Sequence, residues 1–540
     1  MNDALTTDAP CAKSRKLVYH YLLEEHARQT PDKPCLMMGD RTLSWAETDR
    51  EANRWGHGLA LAGVRKGDRV LVMIPSGIEH VVIWLGLCKI GALIVPVNEA
   101  YKGNMLLHQV NDSGARFAII DQTHLPHWHA LGTTLKTLQT IAVHGTFEPH
   151  TENSQNTETG SDWTYLPVGD LRSADDSALP PVVEYYDPMG VFYTSGTTGP
   201  SKGVLYSYAQ AHATALPPAQ MCEPHDVFYM FLPMFHVGLS NMFGIVVIAG
   251  ATMAIRQKFS VQAFWDDVRR YQITMTLIMS TMPNFIASQV PKPSDRDHTL
   301  KKLIMIPLMK NVEQFSDRFG CRIATYYNMT EISTPICSNG FELANSTSCG
   351  RLRAGVSARI VDQFDEPVPA GSVGELVVRS ENPWEFNLGY WQNPQKTAES
   401  WRNQWLHTGD AFSVDAQGNY YFVDRIKDAI RRRGENVSSF EVENEVDAHP
   451  AVLESAAIAV PSEFSEDEIK VVVSLKPGAS LTPAALLDFL RSRLPVYMLP
   501  RYIEIHLSEL PKTPTGKIRK VALRELGIGQ AWDKDKNLKN

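Results

Sequence analysis

Short apolar runs alternate with segments of helical periodicity along much of this chain. Runs with the length and composition of buried strands occur at residues 68–75, 92–98, 226–236 and 275–283. The segments 78–91 and 261–272 between them are predicted to be helices. Strands that alternate with helices in this way predict an α/β fold, in which a parallel sheet is covered by helices.

Farther along the chain the pattern changes, and it predicts a second domain. From about Ser372 the runs "GELVVRS" and "GNYYFVDRI" indicate a β-rich segment, and after Lys427 a basic loop leads into an acidic amphipathic helix and a small α+β unit. A chain of 540 residues is too long for one hydrophobic core. We therefore expect a large N-terminal domain of helix-covered sheets with a β-rich subdomain, residues 1–426, and a small C-terminal α+β domain, residues 427–540. The polar stretch 145–181 is expected to be a loop.

Composition narrows the class of protein. The net charge of −8 argues against nucleic-acid binding, which needs a basic face. Seven cysteines, an odd number with no CxxC pair, favour free thiols in a reducing compartment. The polar N-terminus lacks the apolar core of a signal peptide, and the apolar run 80–97 is interrupted by Lys89 and Pro96. We therefore expect a cytoplasmic enzyme without an integral membrane segment.

The stretch "YTSGTTGPSKGV", residues 193–204, has the composition of a phosphate-binding loop. It combines five serines and threonines with three glycines and one lysine. Glycines let the backbone approach a ligand closely, and hydroxyl and N–H groups donate to anionic oxygens. A nucleotide phosphate is the predicted ligand, although a flexible linker has a similar composition. Because the stretch follows the apolar "MGVFY", we expect it to join a strand to a helix.

Other segments suggest chemistry that is weakly specific when each is taken alone. "YYNMTEIS" contains Glu331, whose carboxylate suits Mg²⁺, but a solvated acid at a strand end explains it equally. "WLHTGD" ends in Asp410, which is either an acceptor for ribose hydroxyls or part of a common turn. "PKTPTGKIRK" presents Lys517, either functionally or in a solvated basic tail. "HLPHWH" contains three histidines, but a surface loop explains it better than a zinc site.

Taken together and in this order, the segments resemble the adenylate-forming superfamily, which contains acyl-CoA synthetases, luciferases and nonribosomal adenylation domains. The resemblance extends from about Tyr19 to Leu526. It rests on "YTSGTTGPSKGV", "LPMFHVG", "YNMTE", "GEL", "WLHTGD", "DRIKDAIRRRGENV" and "PTGKIRK". It implies a reaction in two steps: a carboxylate attacks the α-phosphate of ATP to give an acyl-adenylate and pyrophosphate, and a thiol then attacks the adenylate.

For the first step, the resemblance implies a role for each matching residue. The residues implied in ATP binding are Thr194, Ser195, Gly196, Thr197, Thr198, Gly199, Lys202, Tyr327, Asn328, Asp410 and Arg425. Glu331 would hold Mg²⁺, and Thr330 would contact the α-phosphate. Lys517 is the implied catalytic lysine, which bridges the carboxylate and the α-phosphate oxygens while charge develops there.

For the second step, members of the superfamily rotate the small domain about a hinge, which here matches Lys427. The rotation withdraws Lys517 and brings the loop 431–436 to the site. The residues implied in coenzyme A binding are Arg433, Gly434 and Glu435. The arginines of this loop suit the phosphates of coenzyme A, but a solvated basic turn would also contain them.

The predicted acyl pocket departs from the superfamily pattern. Asn328 stands where glycine is usual, and "IMIPL", residues 304–308, replaces a segment that is commonly "GGAPL"-like. The predicted pocket residues are Phe235, His236, Met305 and Ile306. Met242, Phe243 and Met279 are further apolar candidates, and about half of the apolar candidates are expected to be plain core. His236 resembles the gate between this pocket and the thiol tunnel, and we include it among the catalytic residues. "FVDR", "RGENVS" and the lost glycines are shared with the carnitine- and crotonobetaine-CoA ligase-like branch.

The sequence therefore predicts an ATP- and Mg²⁺-dependent carboxylic acid:CoA ligase that releases AMP and pyrophosphate. The alternative is a stand-alone adenylation enzyme that loads a carrier protein. A catalytically silent nucleotide- or acyl-binding relative is a third hypothesis, which the presence of Glu331, Asp410 and Lys517 disfavours. The predicted partners are coenzyme A and a small carboxylic acid, whose identity the sequence leaves open, and a homodimer is the family-level expectation.

Overall fold

The computed structural model describes most of the chain. The described residues are 10–146, 162–194, 200–279, 282–287, 289–309, 311–425, 429–432, 435–462, 466–511, 518 and 520–537. Within them, two sheets of seven strands form the large N-terminal part, and smaller sheets follow.

The first large sheet contains the middle of the chain and two early strands. Its strand order is Arg322–Ala324, Lys302–Ile306, Met275–Met279, Val227–Met230, Thr252–Ile255, Pro34–Met38 and Arg41–Ser44. Neighbouring strands run parallel except for the last pair, which is antiparallel. Parallel strands joined through helices place their carboxyl ends at one edge of the sheet, where the connecting loops meet.

The second large sheet is formed mainly by earlier residues. Its strand order is Thr164–Pro167, Thr140–His144, Phe117–Asp121, Arg69–Met73, Leu93–Pro96, Pro188–Thr194 and Lys202–Ser207. Again only the last pair is antiparallel. The strand Pro188–Thr194 therefore ends at the carboxyl edge, directly before the predicted phosphate loop.

Helices cover the two sheets and pack between them. The helices of the large part are Ala12–Leu17, Tyr19–Gln29, Trp45–Leu61, Ile78–Lys89, Gly103–Ser113, Leu125–His129, Tyr208–Ala219, Gly238–Ala249, Val261–Arg270, Met282–Ala287, Val312–Phe319 and Pro394–Ser400. Trp45–Leu61 begins at Ser44, whose side chain accepts from the N–H of Glu47 in a capping box. This helix packs so closely on Ile78–Lys89 that a Cβ atom on Gly86 would lie only 2.9 Å from the backbone nitrogen of Gly56.

The rest of the chain forms smaller sheets and a C-terminal unit. The strands Tyr326–Met329, Ile332–Cys337 and Arg351–Leu352 form one sheet, and Val356–Val361, Gly374–Ser380, Leu406–Val414 and Tyr420–Arg425 form another. The C-terminal unit contains the strands Ala429–Arg432, Glu435–Ser438, Val452–Pro461, Asp467–Leu475, Tyr502–His506 and Trp532–Asp533 and the helices Ser439–Asp447, Pro483–Arg491, Lys520–Glu525 and Lys534–Asn537. Val442, Ile469 and Leu487 are buried in an apolar core of this unit.

The predicted α/β fold is confirmed, and strands form within the predicted runs, although those at 226–236 and 275–283 end early, at Met230 and Met279. Two expectations are wrong. The strand Thr164–Pro167 lies in the stretch expected to be a loop, where it extends the edge of the second sheet. The phosphate loop does not join a strand to a helix: it joins two antiparallel strands, because the apolar residues of "KGVLYS" pair with Pro188–Thr194.

Lys89, the charge within the apolar run 80–97, lies at the end of a buried helix. Its ammonium group lies 2.8 Å from Glu24 Oε1 and 2.9 Å from Asp49 Oδ1, and only 1% of the side chain is exposed. The charge is therefore neutralised inside the fold, as a buried ion requires. The helix itself, Ile78–Lys89, has 12 residues, and none of the helices in the described ranges is long and apolar enough to cross a membrane.

Replacing Lys89 with alanine is expected to destabilise the large part of the protein by about 3–5 kcal/mol, because two carboxylates lose their shared buried cation. Lys66→Ala is the matched control. Lys66 also pairs with an acid, at 2.7 Å from Asp187, but 49% of its side chain is exposed, so the loss there is expected to be below about 1 kcal/mol. Thermal unfolding of both variants measures the difference, and equal losses would contradict this assignment.

Candidate active site

The phosphate loop is described at its two ends. Thr194 ends one strand, Lys202 begins the next, and the two residues face each other in the antiparallel register. Ser195, Gly196, Thr197, Thr198 and Gly199 lie outside the described residues. The strand pairing thus fixes the ends of the loop at the carboxyl edge of the second sheet.

Glu331 lies beside the first of these ends. Its Oε1 accepts a hydrogen bond from the hydroxyl of Thr194, at 3.4 Å, and another from the hydroxyl of Tyr390, at 3.0 Å. The Tyr390 ring lies 5.6 Å from the ammonium nitrogen of Lys202. One carboxylate, two hydroxyl groups and one ammonium group are therefore gathered where the loop begins and ends.

Tyr327 and Asp410 are also brought together. The hydroxyl of Tyr327 donates to Oδ2 of Asp410 at 2.7 Å, and both residues are buried. The Tyr327 ring packs edge-on against Phe412, with ring centroids 4.8 Å apart. In the antiparallel register Asp410 pairs with Arg425, whose backbone alone is described. The side chain of Tyr327 therefore holds the acid that the sequence assigns to ribose binding.

The segment between these pairs is half-buried. Asn328 and Thr330 lie at the end of the strand Tyr326–Met329, and the carbonyl oxygen of Thr330 accepts from the side-chain amide of Gln210 at 2.9 Å. This bond connects the segment to the helix Tyr208–Ala219, which follows the phosphate loop and its second strand.

His236 contacts the C-terminal unit. Its Nε2 lies 3.0 Å from Oε2 of Glu435, in the strand Glu435–Ser438. Burial favours the neutral ring, but the charge of Glu435 outweighs it and raises the pKa of His236. Burial likewise favours the neutral acid, but the charge of His236 lowers the pKa of Glu435. Both shifts favour the charged forms, so the two parts of the chain are joined through opposite charges when His236 is protonated.

A second carboxylate of the C-terminal unit reaches the phosphate loop. The backbone N–H of Ser201 donates to Oε1 of Glu441 at 3.1 Å, and the carbonyl oxygen of Ser201 lies 2.8 Å from Nε2 of His108. Burial raises the pKa of Glu441 to about 7. Tyr101 and Tyr497 lie close enough to interact electrostatically with this carboxylate. The small unit therefore binds the large one at the end of the loop expected to hold phosphates.

One arginine of the basic run before Glu435, Arg432, is buried within the C-terminal unit. Arg432 is 1% exposed, and its guanidinium group donates to the carbonyl oxygens of Tyr497, at 3.0 Å, and Leu499, at 2.6 Å. Its Nε lies 2.7 Å from Oε2 of Glu468. Arg432 is therefore a buried structural cation. It fits neither alternative considered for the arginines of this run, a ligand for the phosphates of coenzyme A or a residue of a solvated turn.

The predicted acyl residues differ in exposure. Phe235 and Ile306 are half-buried, and the Phe235 ring lies 4.5 Å from that of His236. Met305 is fully buried in the main core, and its sulfur accepts from the backbone N–H of Met309 at 3.4 Å. Met305 and Ile306 differ because they are the last two residues of the strand Lys302–Ile306, where the side chains leave the core.

Some of the predicted site residues lie outside the described residues, and the three histidines of one motif have different neighbours. Lys427, Arg433, Gly434 and Lys517 are not among the described residues. The histidines of "HLPHWH" have different surroundings: His124 lies 3.6 Å from Glu99, His129 lies 3.0 Å from the hydroxyl of Tyr165, and His127 is exposed. Among the described residues, these three histidines do not form a group whose ligand atoms could hold one metal ion.

Sequence reasoning missed three residues at this site: Gln210, Tyr390 and Glu441. Tyr390 lies in "NLGYW", beside a glycine with φ of 115°, and is placed by pairing between the segment 388–391 and the strand Lys202–Ser207. Glu441 was visible only as one of several acids on an amphipathic helix. The local sequence does not mark Tyr390 or Glu441 as a site residue, because each contacts a partner that is distant along the chain.

With this geometry in view, family models match two parts of the chain. The model for the AMP-binding enzyme matches residues 23–391, and the model for the AMP-binding enzyme C-terminal domain matches residues 441–517. The chain belongs to the AMP-binding enzyme family. The resemblance inferred from the motifs is thus confirmed, as is the expectation of an enzyme of the AMP-forming acid–CoA ligase type.

One curated relative supports the family assignment, and two solved structures share the fold. The chain is 30% identical over 492 residues to a crotonobetaine/carnitine–CoA ligase from Salmonella heidelberg, covering 90% of this chain and 93% of the relative. An o-succinylbenzoate CoA synthetase from Bacillus subtilis has a similar fold, with a TM-score of 0.79 at 24% identity over 94% of this chain and 98% of the other. An amide bond synthetase from Marinactinospora thermotolerans has a TM-score of 0.80 at 21% identity, covering 94% and 99%.

The contacts of Glu441 predict that the two parts separate more readily as pH rises. Burial in the docked structure raises the pKa of Glu441 from 4.5 to about 7, so the docked state is expected to hold a proton that a water-exposed acid in the separated state would release. Linkage then lowers the docking equilibrium constant by about tenfold between pH 6 and pH 8. The raised pKa of His236 acts in the same direction, while the lowered pKa of Glu435 weakens docking only under acidic conditions.

Hydrogen exchange of the Ser201 amide, corrected for its intrinsic pH dependence, measures this change. Protection is expected to fall from pH 6 to pH 8 in the parent chain and to vary much less in Glu441→Gln. Glu525→Gln, a change of the same kind at an exposed acid of the same unit, is the control. Protection that does not depend on pH in the parent chain would contradict the prediction.

Proposed function

We propose that this chain is an ATP-dependent carboxylic acid:CoA ligase that forms an acyl-adenylate and then an acyl-CoA thioester. The observation that carries the proposal is the pairing of Thr194 with Glu331 and of Tyr327 with Asp410, at motif positions of an AMP-binding enzyme. The names of the curated relatives support coenzyme A as the thiol. They do not favour the alternative of a carrier protein.

The first step joins two anions, so the site must offset their repulsion. An oxygen of the carboxylate attacks the α-phosphorus of ATP, and pyrophosphate leaves with the electrons of the broken P–O bond. Thr194, Lys202 and the loop between them would donate to the phosphates. Asp410, held by Tyr327, would accept from the ribose hydroxyls, with Arg425 beside it.

Glu331 fits a magnesium ion. Mg²⁺ prefers oxygen ligands and is usually bound through one or two carboxylates together with substrate phosphates. The Glu331 carboxylate lies beside the phosphate loop, with the hydroxyls of Thr194 and Tyr390 on one of its oxygens. When bound, the ion would neutralise charge on the phosphates. Tyr390 would keep the carboxylate turned toward the loop.

In the second step, the sulfur of coenzyme A attacks the acyl carbonyl carbon, and AMP leaves with the electrons of the broken C–O bond. We propose that the arrangement described above serves this step, because the strand Glu435–Ser438 carries Glu435 to His236 at the predicted gate. Arg433 and Gly434, which precede Glu435 in the sequence, would contact coenzyme A. Rotation about Lys427, which divides 1–426 from 427–540, would exchange this hairpin for Lys517.

The two steps can be separated in a Lys517→Ala variant. Adenylation, measured as pyrophosphate release with ATP, Mg²⁺ and a panel of acids, is expected to fall by about 100-fold or more, because the cation facing the developing charge is lost. Thioester formation from supplied acyl-adenylate and coenzyme A is expected to stay within a few-fold of the parent rate. Lys536→Ala, at an exposed lysine of the same unit, is the control. Normal adenylation by Lys517→Ala would overturn the assigned role.

A further inference from the structure

Half-buried apolar side chains collect at the carboxyl edge of the first sheet. The strands Val227–Met230, Met275–Met279 and Lys302–Ile306 are parallel neighbours, so the residues that follow them meet at this edge. We call the half-buried set there the acyl wall. It consists of Phe235, Met279, Met282, Ile306 and Met309.

The structure connects four of the five members of the acyl wall. Met279 and Ile306 face each other as Cα partners at the last positions of their strands. The N–H of Met309 donates to the sulfur of Met305, which folds the segment after Ile306 back over the strand end. Met279, Met282, Ile306 and Met309 all pack against the main core. The wall is therefore continuous with the core on one side and partly open on the other.

The chemistry of the acyl wall is apolar and adaptable. It presents three thioethers, one branched alkyl group and one phenyl ring. Unbranched, polarisable methionine side chains fill irregular space and accommodate ligands of different shapes. Burial of an alkyl or aryl chain against such a surface is favourable in proportion to the apolar area removed from water.

No acid serves this surface as a counterion among the described residues that follow the three strands. The segments 231–237, 282–287 and 305–309 contain neither aspartate nor glutamate. The two carboxylates assigned to the site already have partners: Glu331 accepts from Thr194 and Tyr390, and Glu435, which lies beside the Phe235 end of the wall, pairs with His236. A buried cation needs an opposite charge or a cage of aromatic rings, and this wall has one phenyl ring.

We infer that the acid activated by this chain is uncharged and apolar beyond its carboxylate group. The inference rests on the proposed function and names the substrate class for that same site. It differs from the names of the curated relatives, since crotonobetaine and carnitine both carry a trimethylammonium group. The relatives share 30% of residues with this chain, which leaves ample room for a different side-chain set in the pocket.

A pair of acids with the same shape tests the inference. The two acids are 4-(trimethylammonio)butanoate and 5,5-dimethylhexanoate. They have the same chain length and the same three terminal methyl groups, which are bonded to N⁺ in the first acid and to a neutral carbon in the second. With ATP and Mg²⁺, the neutral acid is expected to give a kcat/KM for pyrophosphate release at least about 100-fold higher, because the cation loses its hydration without gaining a partner. A betaine that reacts equally well or better would overturn the inference.

A variant that supplies the missing charge gives a second readout. Met279→Glu is expected to shift the ratio of the two kcat/KM values toward the betaine by at least about tenfold, since a carboxylate then faces the ammonium group. Met279→Gln, which is polar but neutral, is expected to leave the ratio within about threefold of the parent. If Met279→Glu does not fold, the comparison of the two acids on the parent chain still decides.

The result also separates this inference from the proposed function. If other acids in a wider panel release pyrophosphate and form thioesters while the betaine exceeds its neutral isostere, the proposed function stands and the inference fails. If neither these acids nor any other in the panel releases pyrophosphate, the proposed function fails, and the substrate class inferred from it fails as well.

Discussion

The contact between the C-terminal unit and the phosphate loop is the constraint on which this site depends. Glu441 accepts from the amide of Ser201, and Glu435 pairs with His236. Both carboxylates therefore lie beside residues of the large part to which we assign nucleotide and acyl binding. When ionised, a carboxylate at that position repels a polyanion nearby, so we expect the placement of the small unit to influence which ligand the loop holds.

Contacts within the small unit hold the hairpin that carries Glu435. Arg432 is buried against Glu468 and donates to two carbonyl oxygens of the segment 496–499, so the hairpin is fixed to the unit that carries it. Glu435 can then reach His236 only when the whole unit is docked. Positioning by a rigid element is more exact than positioning by a loop, which suits a residue that must act at one stage of a reaction.

The sequence predicted elements well where the pattern is strong and local. The strands Arg69–Met73 and Met275–Met279 are continuous apolar runs, and the sheets follow from their alternation with helices. It failed where distant pairing overrides local pattern. "KGVLYS" forms a strand because it pairs with Pro188–Thr194, and the buried Arg432 looks in sequence like its neighbours in a basic run.

The candidate site was predictable to the extent that its residues belong to motifs. Glu331, Tyr327 and Asp410 were named from sequence, and the structure brings Tyr327 to Asp410 and Glu331 to Thr194. Tyr390 was not named, because it belongs to the site only through its hydrogen bond to Glu331, which lies 59 positions away along the chain. The acid could not be named for the same reason: the acyl wall is assembled from three strand ends.

Isotope transfer tests the central claim most directly. When the acid carries ¹⁸O in its carboxylate, attack on the α-phosphorus and later cleavage by the thiol leave one labelled oxygen in the phosphate of AMP. Mass spectrometry after turnover with ATP, Mg²⁺ and coenzyme A is expected to find that label in AMP and none in pyrophosphate. Unlabelled AMP, or label in pyrophosphate or inorganic phosphate, would contradict an acyl-adenylate route.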